Sequence, residues 1–139
     1  MGSIVGYMSV PGTIAAADLS SHQYHVVTFN GTSRQVAVVA NANDTTEHPA
    51  GILQDDPDTA LHAADVACFG MAKAECGGTI TAGEYFSYNN DGEIIADAVN
   101  TAMQTTANDL VHMGIALEDG VDGNIIDVFI MNMGLQGVE

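Results

Sequence analysis

Five histidines and two groups of carboxylates are the side chains in this chain with the greatest capacity for chemistry. Histidine titrates near neutral pH and is the commonest metal ligand in proteins. None of the five stands in a motif that catalysis or metal binding uses, such as Gly-x-Ser-x-Gly or His-Glu-x-x-His. The sequence therefore predicts a protein that is not an enzyme and that binds no cofactor. The histidines are His22, His25, His48, His62 and His112.

His22 and His25 are the closest pair of histidines along the chain, on either side of Tyr24. A helical turn would place both on one face, whereas a strand would place them on opposite faces. A metal ion needs further ligands, and the neighbouring sequence supplies none. We therefore predict two half-buried or surface histidines at a turn-to-strand junction and no metal site.

The two carboxylate groups have the oxygen chemistry that a hard cation such as Ca²⁺ prefers. Neither follows the spacing of a calcium loop. Asp, Pro and Gly are also favoured in turns for backbone reasons alone, and this turn interpretation is the stronger one. The groups are Asp55, Asp56 and Asp58, and Glu118, Asp119 and Asp122.

The sulfur-containing residues favour structural roles. Cys68 and Cys76 fit no zinc spacing, so reduced, partly buried thiols are predicted, with a disulfide as the alternative. Met131 and Met133 alternate with period two and share a strand face with Phe129. Core filling is the favoured role of these methionines, and an adaptable contact surface is the alternative.

The net charge of the chain restricts the kinds of partner that the protein can bind. The chain has 139 residues, 47% of them apolar, which suits one folded domain. Lys73 and Arg34 are its only lysine and arginine against 18 acidic residues, a net charge of −16. Such a surface cannot neutralise phosphates, so we expect no nucleic-acid binding and no attraction to an anionic membrane. The acidity suits a basic partner, a solvated exterior or a medium of molar salt.

Targeting signals are also missing from the sequence. Apolar runs fall far short of the ~20 residues that span a bilayer. Met1 to Val10 lack the basic start and long apolar stretch of a signal peptide. Synthesis in a host cytoplasm is expected.

Short β-strands separated by turn residues are the elements that must position these groups. Asn30-Gly31 lies between two apolar runs, His25 to Phe29 and Val36 to Ala40, and predicts a hairpin. Asp91-Gly92 lies between Tyr85 to Tyr88 and the run starting at Glu93, and predicts a second hairpin.

One segment occurs twice. Gly51-Ile52-Leu53 runs into an acidic turn and returns through Asp65-Val66, and Gly114-Ile115-Ala116 returns in the same way through Asp127-Val128. Each copy predicts one hairpin of a related pair. The expected fold is an all-β domain, a compact small β-barrel or β-sandwich of short antiparallel strands, with at most short helical turns within 15–22 and 98–106. An extended N-terminal arm at residues 1–14 and a tail at 134–139 flank the domain at 15–133.

Several of these segments, taken in order and spacing, give the chain a family resemblance across most of residues 15–131. They are Ala17 to Ser20 with Gln23 to His25, Pro49 to Pro57, Gly77 to Glu84, Asp91-Gly92, and Gly114 to Glu118. The chain resembles the capsid decoration (cement) proteins of tailed phages, a family formerly known as a conserved phage domain of unknown function.

The resemblance implies a virion protein that binds the outer surface of an icosahedral head. It would stabilise contacts between capsomers of the major capsid protein, as a homotrimer or related homo-oligomer, with no nucleic acid or membrane partner. The alternative is a virion surface-projecting module that binds a host glycan or protein.

Contacts with the capsid or between subunits are expected from open strand edges and terminal arms, which offer unpaired backbone groups. We expect a partner to order the N-terminal arm. The candidate contact residues are Ser3, Ile4, Val5, Tyr7, Met8, Val10, Met131, Met133 and Leu135.

Overall fold

The computed structural model describes residues 6–40, 42, 48–96 and 111–135, with side chains left out at 111, 112 and 132–135. The described residues form ten strands and no helix. Consequently, none of them belongs to a helix that could cross a membrane. The strands are β1 (Tyr7–Ser9), β2 (Ile14–Ala15), β3 (Val26–Phe29), β4 (Gln35–Val38), β5 (His48–Leu53), β6 (Val66–Glu75), β7 (Tyr85–Tyr88), β8 (Ile94–Ala96), β9 (Val111–Ala116) and β10 (Ile125–Leu135).

All ten strands join one mixed sheet, in the order β2-β4-β3-β5-β6-β10-β9-β7-β8, with β1 paired to β6. The β2–β4 pair is parallel and the other pairs are antiparallel. The predicted all-β class is confirmed. The sheet is not closed into a barrel, because β2 and β8 stand at its two ends and do not pair with each other.

Both predicted tight turns are present. Asn30 lies between β3 and β4, and its side-chain oxygen accepts the backbone N–H of Thr32 at 2.9 Å. In the β7–β8 hairpin Gly92 has φ +83°, the left-handed conformation that its sequence position predicted. Of the two possible helical turns, 15–22 is strand and turn, and 98–106 lies outside the described residues.

The duplicated segment forms two hairpins, as predicted: β5 pairs with β6, and β9 pairs with β10. Residues at corresponding positions of the two copies form corresponding cross-strand pairs, so the two hairpins have the same strand register. The pairs are Leu53 with Val66 and Ile52 with Ala67 in the first hairpin, and Ala116 with Val128 and Ile115 with Phe129 in the second.

The glycine of each copy permits a close approach of two strands. A Cβ added to Gly51 would lie 2.9 Å from the carbonyl carbon of Ala67, and one added to Gly114 would lie 2.9 Å from that of Phe129. Ala67 and Phe129 occupy corresponding positions of the repeat. Close packing of the neighbouring strand therefore requires the glycine of the Gly-Ile sequence in both hairpins.

Two hydrophobic cores lie on opposite faces of the sheet. Successive residues of a strand point to opposite faces, so Ile52 of β5 enters the larger core and Leu53 the smaller one. Val26 and Val27 of β3 divide in the same way. These strands are therefore covered on both faces, which explains their continuous apolar runs.

Candidate interaction surface

The outward side of β1, β6 and β10 carries a cluster of exposed large apolar side chains. Met8 pairs with Phe69 across β1 and β6, and Met71 pairs with Phe129 across β6 and β10. The rings of Phe69 and Phe129 meet edge to face, with centroids 5.8 Å apart. We call Met8, Phe69, Met71, Phe129 and Met131 the apolar face; their exposed fractions are 64%, 48%, 48%, 37% and 40%. A contiguous exposed cluster of this kind marks a contact surface, whereas single exposed apolar residues do not.

Along β6 the large apolar side chains point outward and the small ones point inward, which is the opposite of the usual pattern in a strand with one face in solvent. Its inward positions include the small residues Ala72 and Ala74, which are buried, while Phe69 and Met71 point outward. An antiparallel strand with one free face normally places polar residues on that face. The strand therefore has the composition of one that is covered on both sides.

The charges next to the apolar face cancel. Lys73 and Asp127 form the next cross-strand pair on the same face of β6 and β10, and the Lys73 Nζ lies 3.0 Å from Oδ1 of Asp127. The hydrogen bond to Asp127 raises the pKa of Lys73. Both side chains are substantially exposed, so the pair contributes about 0–1 kcal/mol to stability. Its larger consequence is that this cross-strand pair adds no net charge beside the apolar face, on a chain whose net charge is −16.

Asp65 anchors β1, and with it Met8, to the domain. The Tyr7 hydroxyl donates to one carboxylate oxygen of Asp65 at 2.5 Å, and the Ser9 hydroxyl donates to the other at 2.7 Å. The hydrogen bond to Asp65, together with partial burial, raises the pKa of Tyr7 to about 12. Residues 7–9 are thus held by their own chain. Residues 1–5 lie outside the described residues, and ordering of the arm by a partner stays a prediction.

The predicted contact residues divide into three groups. Met8 and Met131 belong to the apolar face. Tyr7 and Val10 are half-buried: Tyr7 binds Asp65, and Val10 packs against the smaller core. The side chains of Met133 and Leu135 are not described, and Ser3, Ile4 and Val5 lie outside the described residues.

Core filling is wrong for Met131, because the side chain is 40% exposed beside Phe129. Phe129 belongs to the apolar face but was not among the predicted contacts, and neither were Phe69 and Met71 of β6. In the sequence, these two large residues alternate with small ones along β6, which could have indicated an apolar contact strand. The alternation does not reveal which of the two faces of the strand points outward.

The acidic groups support turns in the way their composition predicted. Asp55 Oδ1 accepts the backbone N–H of Asp65 at 3.0 Å, and Asp119 Oδ1 accepts that of Ala82 at 2.8 Å. Partial burial raises the pKa of Asp55, and the neighbouring Asp65 carboxylate raises it further. Asp56 and Asp58 are exposed, as are Glu118 and Asp122.

Both cysteines are free, in agreement with the prediction of reduced thiols. Cys68 is half-buried, and its thiol donates to the carbonyl oxygen of Met8 at 3.2 Å, a further link between β6 and β1. Cys76 is fully buried in the larger core, and burial raises its pKa.

His22 and His25 lie just before β3, at the turn-to-strand junction that the sequence predicted, with ring centroids 5.3 Å apart. The prediction of half-buried or surface positions is right for His22 and wrong for His25, because the folded sheet covers the His25 ring. His25 is buried and His22 half-buried, and burial, followed by the nearby His25, lowers the pKa of His22. His48 and His62 are exposed, and the side chain of His112 is not described.

Fold and surface together define a class: an all-β domain with an exposed apolar face on a strongly acidic chain. No family model matches the sequence, and no curated protein matches it. Among solved structures, the chain is similar to the N base of the head fiber gp8.5 of bacteriophage phi29. The TM-score is 0.53 at 13% identity, over 90% of this chain and 95% of that chain. At this identity the likeness concerns the fold.

Proposed function

We propose that this protein is a structural component of a phage head, and specifically a decoration (cement) protein. It binds the outer surface of the shell through the apolar face and stabilises contacts between capsomers of the major capsid protein. The exposed apolar face on a chain of net charge −16 is the observation that carries this proposal. Two further findings support it: the fold likeness to a phage head fiber base, and the sequence resemblance to decoration proteins.

Burial of the apolar face supplies the binding energy. A large apolar side chain contributes about 1.5–3 kcal/mol when it is fully buried. Each side chain of the face is about half exposed, so covering it contributes roughly 1 kcal/mol to the binding free energy. Five such residues supply several kcal/mol per copy. The Lys73–Asp127 pair adds no net charge next to the face, so its carboxylate does not oppose the contact. Carboxylates elsewhere steer the protein towards basic patches on the shell.

Assembly as a homotrimer on the head is part of the proposal and derives from the family resemblance. A second copy of the chain is therefore the rival occupant of the apolar face. Free copies of net charge −16 repel one another, so in this proposal the shell occupies the apolar face and holds the copies of the trimer together on the head.

Binding to heads tests the proposal. Heads that lack the protein are mixed with the purified wild-type chain, Met71→Ser or the control Val121→Ser, and the bound copies are counted after sedimentation. Val121 is an exposed apolar residue, 54% accessible, outside the apolar face. We expect Met71→Ser to bind at least ~5-fold more weakly, for a loss of about 1 kcal/mol, and Val121→Ser to bind like the wild type.

Equal binding of the two variants would contradict the role of the apolar face. The oligomeric state of each variant, from light scattering, identifies the occupant: a Met71→Ser chain that falls from oligomer to monomer would assign the face to subunit contacts. Heating decorated and bare heads tests the cement role. If both released their DNA at the same temperature, the protein would be a decoration without a stabilising function.

A further inference from the structure

His25, Glu75 and Glu93 converge from three separate segments of the fold. His25 precedes β3, Glu75 ends β6, and Glu93 follows the turn between β7 and β8. One potential ligand atom from each lies within 4.8 Å of the other two. The side chains of His25 and Glu75 are only 10% and 28% exposed. This cluster is separate from the apolar face and does not depend on the proposed function.

The orientation of His25 directs a lone pair at the carboxylates. Its Nδ1 lies 2.8 Å from the carbonyl oxygen of Asp91. A carbonyl oxygen only accepts, so Nδ1 carries the hydrogen, and in neutral imidazole Nε2 is then a free acceptor. Nε2 faces Oε1 of Glu75 at 3.4 Å. Two acceptors facing each other repel, and a cation between them, either a proton on Nε2 or a metal ion, replaces the repulsion by attraction.

The distance between Nε2 and Oε1 fits a metal ion. A charge-assisted N–H···O bond is about 2.7–2.9 Å long, shorter than the 3.4 Å between Nε2 and Oε1. A tetrahedral ion with bonds of about 2.0–2.2 Å holds its ligands roughly 3.4 Å apart. Glu75 and Glu93 are partly exposed, and small rotations of their side chains adjust the remaining separations.

The surroundings hold these ligands in place. Asn89 donates from Nδ2 to Oε1 of Glu93 at 3.1 Å, and its own Oδ1 accepts the backbone N–H of Glu93 at 3.0 Å. A Cβ at Gly77 would lie 2.5 Å from Asn89 Nδ2 and 3.2 Å from Glu93 Oε1. Gly77 therefore leaves the space that Asn89 and Glu93 occupy. Hydrogen bonds of this kind, behind the ligands, are characteristic of metal sites.

We propose that His25, Glu75 and Glu93 bind a divalent transition-metal ion of the zinc class. One imidazole nitrogen and two carboxylates suit Zn²⁺ better than Ca²⁺, which takes six or more oxygens. Two carboxylates and a neutral imidazole also balance the charge of a divalent ion. The bound ion joins the starts of β3 and β8 to the end of β6, and so acts as a structural clip.

Calorimetric titration of the intact, chelator-treated chain with ZnCl₂ tests the site. We expect one ion per chain, a higher melting temperature with zinc, and much weaker binding of CaCl₂ or MgCl₂. Glu93→Gln should weaken zinc binding at least ~10-fold and abolish the rise in melting temperature. Glu118→Gln removes the same charge at an exposed position, and His62→Gln removes an exposed imidazole; both should bind zinc like the wild type.

NMR of the histidine side chains gives a measurement on the wild-type chain that needs no variant. Zinc should shift the Nε2 resonance of one imidazole while its Nδ1 stays protonated. Equal zinc affinity in Glu93→Gln and Glu118→Gln would overturn the proposal, and so would loss of binding in His62→Gln. The proposal would also be overturned if the chelator-treated chain took up no zinc and Nε2 of His25 were protonated at pH 7. The cluster would then be an ion pair between the imidazolium of His25 and the carboxylates.

Discussion

Replacing Gly114 by alanine should destabilise the domain strongly. Gly114 lies in β9 between β10 and β7, and pairs with Ile130 on one side and Phe86 on the other. An added Cβ would lie 2.9 Å from the carbonyl carbon of Phe129 and 3.0 Å from the Cα of Ile130. Carbon atoms pack at about 3.5–4.0 Å, so β9 and β10 must separate by more than about 0.5 Å.

The expected loss follows from that separation. Overpacking of a core costs about 1–3 kcal/mol, and each weakened backbone hydrogen bond adds about 0.5–1.5 kcal/mol. The sum for one or two such bonds is about 3–4 kcal/mol, a large part of the 5–15 kcal/mol that stabilises an ordinary domain. The melting temperature should fall by roughly 10 °C.

Gly78→Ala is the matched control. A Cβ at Gly78 meets nothing within 4 Å. This substitution should leave stability unchanged or raise it by up to about 1 kcal/mol, since alanine restricts the unfolded chain. Thermal unfolding followed by circular dichroism, with urea unfolding as a second measurement, compares the two variants. If Gly114→Ala melted within about 2 °C of Gly78→Ala, the close approach of β9 and β10 would not limit stability.

Two further predictions concern the hydrogen bonds around Asp65. Tyr7→Phe removes the hydroxyl bonded to Asp65 and should lower the free energy of unfolding at pH 7 by about 1 kcal/mol, after allowance for solvent screening. Because the pKa of Tyr7 is raised to about 12, the wild type should lose this advantage as the pH rises from 10 towards 12, which urea unfolding across that range measures. A constant difference would exclude the Tyr7–Asp65 bond as its source. Asp55→Asn should raise the melting temperature at pH 7, because burial raises the pKa of Asp55, so its ionisation opposes folding as the pH rises through the carboxyl range. The amide oxygen still accepts the N–H of Asp65; an equal gain in the exposed control Asp58→Asn would point to net charge instead.

Local turn chemistry made the hairpins predictable from sequence. Asn30-Gly31 and Asp91-Gly92 determine their own backbone conformations, so each turn forms wherever its strands lie in the sheet. The Gly-Ile repeat was also predictable as a pair of hairpins. Its physical reason, the close approach of a neighbouring strand, becomes visible only once the partner residues are known.

Features that depend on distant pairing could not be predicted. The pairing of β6 with β10 places Met71 next to Phe129, but an apolar strand in the sequence does not show which face its neighbours will cover. His25, Glu75 and Glu93 come from three segments with no shared spacing, so motif reasoning found no further ligands for His25. The sequence thus indicated the fold class and the acidic exterior, whereas the surface and the cluster arise from tertiary structure.

Because the two cores differ in size, the parts of the domain that they support differ in their resistance to partial unfolding. β2 and β4 contribute Ala15 and Val36 to the smaller core, whereas β6 and β10 contribute Ala72 and Val128 to the larger one. Local opening starts where the fewest buried contacts must break, so amide hydrogens of β2 and β4 should exchange sooner than those of β6 and β10. The central strands β6 and β10, which carry most of the apolar face, then keep their shape while the β2–β4 end of the sheet fluctuates. Partial unfolding at that end therefore leaves the apolar face intact.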